Sequence, residues 1–182
     1  MSTTADDWAL AALHAIAETG INGLAVEPLA KRLGVTKGSF YWHFKNRAAL
    51  TEAAVALWES IGTQQIIDRL RDVSDPREQL SQLLAISVED LTHLRGEAAL
   101  MSAANVGHPV IAPVYHRVSQ KRLAFLTEIF SSMDVPNPAT RAQVVYAAYL
   151  GAIQLAVMQP SPLDEGSLDE LVSELQRTFT AR

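Results

Sequence analysis

Residues 26–44, VEPLAKRLGVTKGSFYWHF, place a glycine between two short runs of apolar residues at helical spacing. Pro28 suits the first turn of a helix, because the N–H group that proline lacks has no helical partner at that position. Gly34 tolerates the positive φ of a tight turn. Thr36 can cap a second helix, which continues to about Phe44. The stretch therefore predicts a helix, a tight turn and a second short helix.

The second of these helices has two faces of different character. Phe40 and Phe44 are four residues apart, so both face inward, and Tyr41, Trp42 and His43 are then pushed outward. Three large exposed side chains on one short helix favour a surface that binds something flat or polyanionic. In a helix-turn-helix, the second helix enters the major groove of DNA. The alternative is a small helical subdomain whose aromatic side chains contact another domain.

Charge is unevenly distributed along the chain. The net charge is −5, but residues 25–50 contain five basic residues and one acidic residue, a local charge of +4. Residues 51–182 contain ten basic and sixteen acidic residues, a charge of −6. A polyanion is attracted by the first segment and repelled by the second. The acidic total therefore does not exclude DNA, and it restricts DNA to one patch.

Composition narrows the class of protein further. A chain of 182 residues with 48% apolar content can bury a core and is not intrinsically disordered. The absence of cysteine excludes disulfides, thiolate metal sites and cysteine nucleophiles. The first residues, MSTTADDW, lack the basic and then apolar pattern of a secretory signal. We therefore expect a cytoplasmic protein.

Apolar residues follow helical spacing throughout, which predicts an all-α fold of about nine helices. The predicted organisation is a three-helix head, residues 1–45, with its helix-turn-helix motif at about 25–44. The head continues into a helical body, residues 46–182.

Three features of the body carry specific helix predictions. A long helix is expected over 47–70, with Ile61 in its buried stripe. The next helix, over 76–95, is expected to end before Gly96. Ser167 is expected to open the last helix through a capping box with Glu170.

Residues 23–50, GLAVEPLAKRLGVTKGSFYWHFKNRAAL, resemble the DNA-binding head of the tetracycline-repressor (TetR) family of transcriptional regulators. The matching features are the Leu-Ala-x-x-Leu-Gly-Val-Thr run, the Gly-Ser-Phe-Tyr-x-His-Phe run and the following Lys-Asn-Arg. At the level of motif the resemblance covers about residues 6–55. Beyond them it covers only the plan of an all-helical body.

The resemblance implies that Thr36, Lys37, Gly38 and Ser39 begin the recognition helix. The two hydroxyl groups and free N–H groups would meet phosphates or base edges. Lys37 would read guanine acceptors, and Gly38 would let the backbone approach the groove closely. The chain departs from its relatives before the second helix, where it lacks a Ser or Thr cap. Glu27, which stands there, would be mildly repulsive if it faced DNA.

The same resemblance implies further DNA contacts at and after the end of the recognition helix. Tyr41 and His43 match positions that contact phosphates, and Trp42 would pack on a sugar or a thymine methyl group. Lys45 and Arg47 would hold the DNA backbone near the start of the following helix.

The body is predicted to form a homodimer, as the family resemblance also implies. Residues 142–159 contain no charge and several small side chains, so a helix formed by them has a smooth surface that allows close approach. The last helix adds a second apolar stripe, and the two would form a four-helix interface. The candidate interface residues are Ala147, Ala148, Gly151, Ala152, Leu155, Leu168, Leu171, Val172 and Leu175. The alternatives are a transmembrane span and a central core helix of one subunit.

The resemblance also implies a cavity for a small-molecule effector in the body. Candidate lining residues combine polar tips with apolar bodies on helical faces; they are Trp58, His93, Met101, Tyr115, His116, Tyr146, Tyr149, Gln154 and Met158. No two histidines are paired at i, i+4 spacing, so no metal site and no cofactor are predicted. No phosphate-binding glycine loop or nucleophile elbow is present either, so the chain is not expected to be an enzyme.

The resulting hypothesis is a homodimeric repressor that binds a palindromic operator in double-stranded DNA and is released from it by a small-molecule effector. The alternative is a helical small-molecule-binding protein, or an activator, with the same architecture.

Overall fold

The computed structural model describes residues 3–88, 91–158, 160–161 and 163–180. Part of the predicted 76–95 helix, the end of the uncharged 142–159 run and Pro162 therefore lie outside the described residues. Every regular element within these ranges is helical, which confirms the all-α prediction.

Ten α-helices follow one another along the described chain. They are α1 (Ala5–Thr19), α2 (Val26–Arg32), α3 (Lys37–His43), α4 (Arg47–Glu59), α5 (Gln65–Arg71), α6 (Pro76–Ser87), α7 (Leu91–Asn105), α8 (Ile111–Ser132), α9 (Pro138–Val157) and α10 (Glu165–Thr180). A 3₁₀ turn, Ile21–Gly23, precedes α2, and a π-helical segment, Ser60–Gln64, joins α4 to α5. If the unbroken helical stretch of α4, the π segment and α5 is counted once, the described residues form nine helices, in agreement with the prediction of about nine.

These helices pack into two compact units. The first comprises residues 1–62 and 96–117, and the second comprises residues 63–95 and 118–182. This division follows packing and does not coincide with a boundary at residue 45. The functional division into 1–45 and 46–182 stays a prediction.

The core of the first unit lies between α1, α3 and α4. Trp8, Ile16, Phe40 and Leu50 are fully buried there. Thr4 begins α1 through a capping box, in which its hydroxyl accepts from the Asp7 N–H and the Asp7 carboxylate accepts from the Thr4 N–H. The buried side chains, rather than the cap, hold the helix-turn-helix against α4.

The π-helical segment corrects one predicted core position. Ile61 is 41% exposed, and Thr63 is buried in the expected apolar stripe instead. A π turn contains more residues than an α turn, so the buried face passes from Trp58 to Thr63, five residues on. A buried stripe predicted with the ordinary spacing of about 3.6 residues per turn therefore names the wrong positions after Ser60.

Gly96 is also placed differently from the prediction. Helix α6 ends at Ser87, and α7 runs through Gly96 without a break. A Cβ atom added at Gly96 would lie 3.3 Å from the Cβ atom of Ala17. The glycine thus serves close helix packing within the first unit and does not end a helix.

The second unit has its own apolar core, in which Leu80, Phe130 and Tyr146 are buried together. The predicted capping box at its last helix is wrong, because α10 begins earlier. Asp164 caps it, and its carboxylate accepts from the N–H and the hydroxyl of Ser167. No helix within the described ranges combines the length and apolar content needed to cross a membrane.

Candidate nucleic-acid interface

The turn between α2 and α3 is held by backbone hydrogen bonds. Gly34 has a φ of +68°, in the left-handed region that glycine adopts readily. Its N–H donates to the carbonyl of Lys31 at 3.2 Å, and the Val35 N–H donates to the carbonyl of Ala30 at 3.0 Å. This pair of bonds is a Schellman motif, which ends α2 and turns the chain into α3. The predicted tight turn at Gly34 is confirmed.

Helix α3 packs through its two phenylalanines. Phe40 is 1% exposed, and its ring meets the edge of the Trp8 ring at a centroid distance of 5.4 Å. Phe44 stacks on Phe40 at 5.7 Å. These aromatic contacts fix the rotation of α3 about its own axis, so they also determine which side chains point away from the unit.

The opposite side of α3 carries large side chains in contact with solvent. Trp42 is 89% exposed, Tyr41 is 61% exposed, and His43 is exposed as well. The predicted division of the helix into an inner and an outer face is confirmed. The exposed Trp42 indole does not stabilise the core of the unit. Together with Tyr41 it forms an exposed aromatic patch, and such patches mark interaction sites.

The first residues of α3 leave polar and open surface. Thr36 occupies the N-cap position, but its hydroxyl makes no capping bond, so the prediction that this side chain caps the helix is wrong. Ser39 is half-buried, and its N–H donates to the Thr36 carbonyl. A Cβ atom at Gly38 would meet only the Thr36 hydroxyl, at an ordinary 3.6 Å. Packing inside the unit therefore does not require a glycine at position 38.

Lys37 and Glu27 form an ion pair across the turn. The Lys37 Nζ lies 2.6 Å from the Glu27 Oε1, and both side chains are more than half exposed. The hydrogen bond from Lys37 and its charge lower the pKa of the Glu27 carboxyl, and the same contact raises the pKa of Lys37. Glu27 is thus the ion-pair partner of Lys37, the predicted base reader.

The residues after α3 connect it to α4. The Asn46 side chain caps α4 by accepting from the Ala49 N–H at 2.9 Å. Lys45 is exposed. Arg47 is exposed too, but its guanidinium also donates to the Leu24 carbonyl at 3.3 Å. Arg47 therefore ties the start of α4 to the loop before α2.

The ion pairs alter the charge of this surface. Arg32 pairs with Glu18 at 2.6 Å, and Lys37 pairs with Glu27. Glu27 is already included in the local charge of +4, whereas Glu18 lies outside the counted segment and neutralises Arg32 in part. Lys31 and Lys45 form no ion pair with any residue in the described ranges.

Comparison with known proteins finds relatives of the N-terminal part of the chain. Residues 10–54 match the family model described as bacterial regulatory proteins, tetR family. The class A tetracycline repressor from transposon 1721 of Escherichia coli is 49% identical over 43 residues, which are 24% of this chain and 20% of that protein. The chain therefore spans about a fifth of the length of the curated relatives it matches.

Solved structures extend the likeness to the whole fold. A TetR-family transcriptional regulator from Agrobacterium tumefaciens has a TM-score of 0.81 at 20% identity and covers 97% of both chains. A transcriptional regulator from Rhodococcus sp. Rha1 has a TM-score of 0.77 at 22% identity and covers 97% of this chain and 95% of its own. Residues 10–54 therefore resemble the TetR family in sequence, and the chain as a whole shares the fold of TetR-family regulators. TetR-family regulators are not enzymes, in agreement with the sequence-based expectation.

The predicted effector residues of this chain are divided between its two units. In the first unit, the Trp58 and Tyr115 rings are buried and stack at 5.8 Å, with an interplanar angle of 7°. In the second, the Tyr146 and Tyr149 rings lie 6.1 Å apart. Met101 and His93 are half-buried, whereas His116, Gln154 and Met158 are exposed. Their roles in ligand binding stay a prediction.

The predicted dimer residues also differ in exposure. Ala147, Gly151 and Leu155 are exposed along α9, whereas Ala152 and Leu168 are buried within the second unit. Ala148, Leu171, Val172 and Leu175 are half-buried. A Cβ atom added at Gly151 would meet no atom within 4 Å.

Two charged residues, one buried and one half-buried, were not singled out from the sequence. Glu97 is 2% exposed, and its carboxylate accepts from the Trp58 indole N–H at 3.1 Å. Arg122 donates to the buried Thr63 hydroxyl at 3.0 Å and lies over the Tyr149 ring. Both could have been found from helical spacing, because each charged residue falls at a position that belongs to the apolar stripe of its own helix.

Proposed function

We propose that this chain is a DNA-binding transcriptional regulator of the TetR family, and specifically a homodimeric repressor released from a palindromic operator by a small molecule. One observation carries the DNA-binding part. The side of α3 opposite its buried phenylalanines presents Tyr41, Trp42 and His43 to solvent, next to Lys45. A recognition helix needs this arrangement, because its outer side chains must reach phosphates and base edges.

The proposed roles follow the exposure of the side chains. Tyr41 and His43 donate to phosphates, Trp42 packs against a sugar or a thymine methyl group, and Lys45 pairs with the backbone. Gly38 supports close approach, since nothing inside the unit explains a missing side chain there. Arg47 contributes chiefly by positioning α4 through its bond to Leu24.

Dimerisation is supported by a stripe on α9. Val144, Ala147, Gly151 and Leu155 are spaced three or four residues apart, and all are exposed in a single chain. Apolar and small side chains in one exposed row are typical of a surface that is covered in the assembled protein. A dimer would also present two recognition helices to a two-fold symmetric site, as palindromic recognition requires.

The effector part of the proposal is supported by the buried group around Trp58. The stacked Trp58 and Tyr115 rings and the Glu97 carboxylate place aromatic surface and a buried charge together inside the first unit. A ligand there would act by population shift, and a coupling of about 1–3 kcal/mol is sufficient to change operator occupancy.

Replacing Lys45 with alanine tests the DNA-binding proposal directly. The variant should bind every duplex more weakly, and the slope of log affinity against log salt should fall by about one, since one phosphate contact is lost. Affinity is measured by fluorescence anisotropy over a series of salt concentrations. Arg95→Ala, which removes an exposed positive charge from α7, is the control and should leave the slope unchanged. Equal slopes for Lys45→Ala and wild type would remove Lys45 from the interface.

A gel shift with DNA flanking the chain's own coding region separates the regulator from a helical ligand carrier. The regulator should bind this DNA. One compound in a panel of candidate small molecules should lower its affinity for the DNA at least about fivefold, which is the lower end of ordinary allosteric coupling. A protein that binds small molecules but not this DNA would be a carrier. Retention of the complex by a ligand-saturated protein would exclude release by that ligand.

A further inference from the structure

The Glu27–Lys37 pair lies at the part of the surface that faces DNA in the proposed function. Glu27 is in the first turn of α2, and Lys37 is the first residue of α3. Lys37 and Tyr41 are four residues apart, so they share one side of α3. The pair therefore borders the exposed aromatic group.

The contact between the two side chains leaves hydrogen-bonding capacity on both. The Lys37 ammonium group has three donors, and the Glu27 Oε1 takes one of them. The second carboxylate oxygen of Glu27 remains able to accept. Since both side chains are more than half exposed, these groups are open to a ligand without loss of the ion pair.

A G·C base pair offers the complementary groups in the major groove. Guanine presents two acceptors, N7 and O6, and cytosine presents one donor, its N4 amino group. An A·T pair offers a different order of donor, acceptor and methyl group. A lysine and a glutamate held side by side therefore match the edge of a G·C pair.

We propose that Glu27 and Lys37 act together as one base-reading unit for a G·C pair. The Lys37 ammonium donates to guanine, and the Glu27 carboxylate accepts from the cytosine amino group. This inference rests on the proposed function and adds a specificity-determining residue to it. Glu27 acts by selection: its charge repels phosphates and base acceptors, so its presence is favourable only where a donor meets it.

The Arg32–Glu18 pair shows how the arrangement differs from an ordinary surface ion pair. It has the same length of 2.6 Å and similar exposure, but it joins α1 to the end of α2 and includes no residue of α3. Neither of its charges is on the helix that carries Tyr41 and Trp42. Glu18→Gln therefore provides a matched control, with the same change of charge and the loss of an equivalent pair.

The test is binding-site selection from a pool of duplexes with a randomised centre, using wild type, Glu27→Gln, Lys37→Met and Glu18→Gln. Wild type should select a palindrome with a G·C pair at one symmetric position. Glu27→Gln should reduce the preference for cytosine at that position about tenfold, which corresponds to the loss of one base contact. The variant should instead accept adenine there, because a glutamine side chain pairs with the adenine edge. Lys37→Met should lose the guanine preference at the same base pair. Glu18→Gln should select the wild-type site.

The outcomes separate this inference from the proposed function. If wild type enriches no sequence, the proposed function fails. If wild type selects a palindrome and Glu27→Gln keeps the same preference, only the paired reading fails. Changes at separate base pairs for Glu27→Gln and Lys37→Met would also overturn it, because the two residues would then act independently.

Discussion

Leu155→Glu should convert the protein from a dimer to a monomer. Leu155 lies in the exposed α9 stripe, near its C-terminal end, so the proposed interface would bury an unpaired carboxylate in each subunit, which costs several kcal/mol. Loss of the second recognition helix should weaken binding to a two-half-site duplex by about 10²–10⁴-fold. Sedimentation velocity measures the oligomeric state, and fluorescence anisotropy measures the affinity.

A matched control adds the same charge elsewhere. Gln120 is exposed on α8 and lies outside the stripe, so Gln120→Glu should remain a dimer with wild-type affinity for DNA. A dimeric Leu155→Glu protein would show that the stripe is not the interface. A monomeric variant with undiminished affinity would show that dimerisation is not needed for operator binding.

Phe40→Ala should cause the largest loss of stability among the substitutions considered for α3. The ring is fully buried between Trp8 and Phe44, and removal of a buried aromatic side chain from a core costs about 3–5 kcal/mol. Urea unfolding followed by circular dichroism measures the free energy of unfolding. Binding to DNA should be lost together with the fold of the helix-turn-helix.

The neighbouring residue provides the control for this substitution. Tyr41→Ala also removes an aromatic ring, but from the exposed side of α3, so its free energy of unfolding should change by no more than about 0.5 kcal/mol. Its DNA binding should nevertheless weaken on all sequences. Equal loss of stability in both variants would contradict the division of α3 into a packing face and a binding face.

The helix-turn-helix could be predicted from sequence because its determinants are local. The spacing of Phe40 and Phe44 fixes the buried side of one short helix, and Gly34 fixes the turn before it. Motif resemblance then added predicted positions for the residues that contact DNA. Burial in the structure agrees with the predicted inner and outer faces of α3.

The features that could not be predicted depend on contacts between distant parts of the chain. Gly96 ends no helix because its missing side chain is used for packing against Ala17, on another helix. The π turn before Thr63 shifts a buried stripe, and nothing in the local spacing indicates it. The Glu27–Lys37 pair joins residues ten positions apart across the turn, so it becomes visible only once α2 and α3 are placed.

The unequal exposure of the three tryptophans has a practical consequence. Trp8 and Trp58 are buried, whereas Trp42 is almost fully open to solvent. A dissolved quencher such as iodide therefore reaches one indole far more readily than the other two. Emission from that indole makes the chain its own optical reporter of whatever covers the recognition helix, with no dye or label attached.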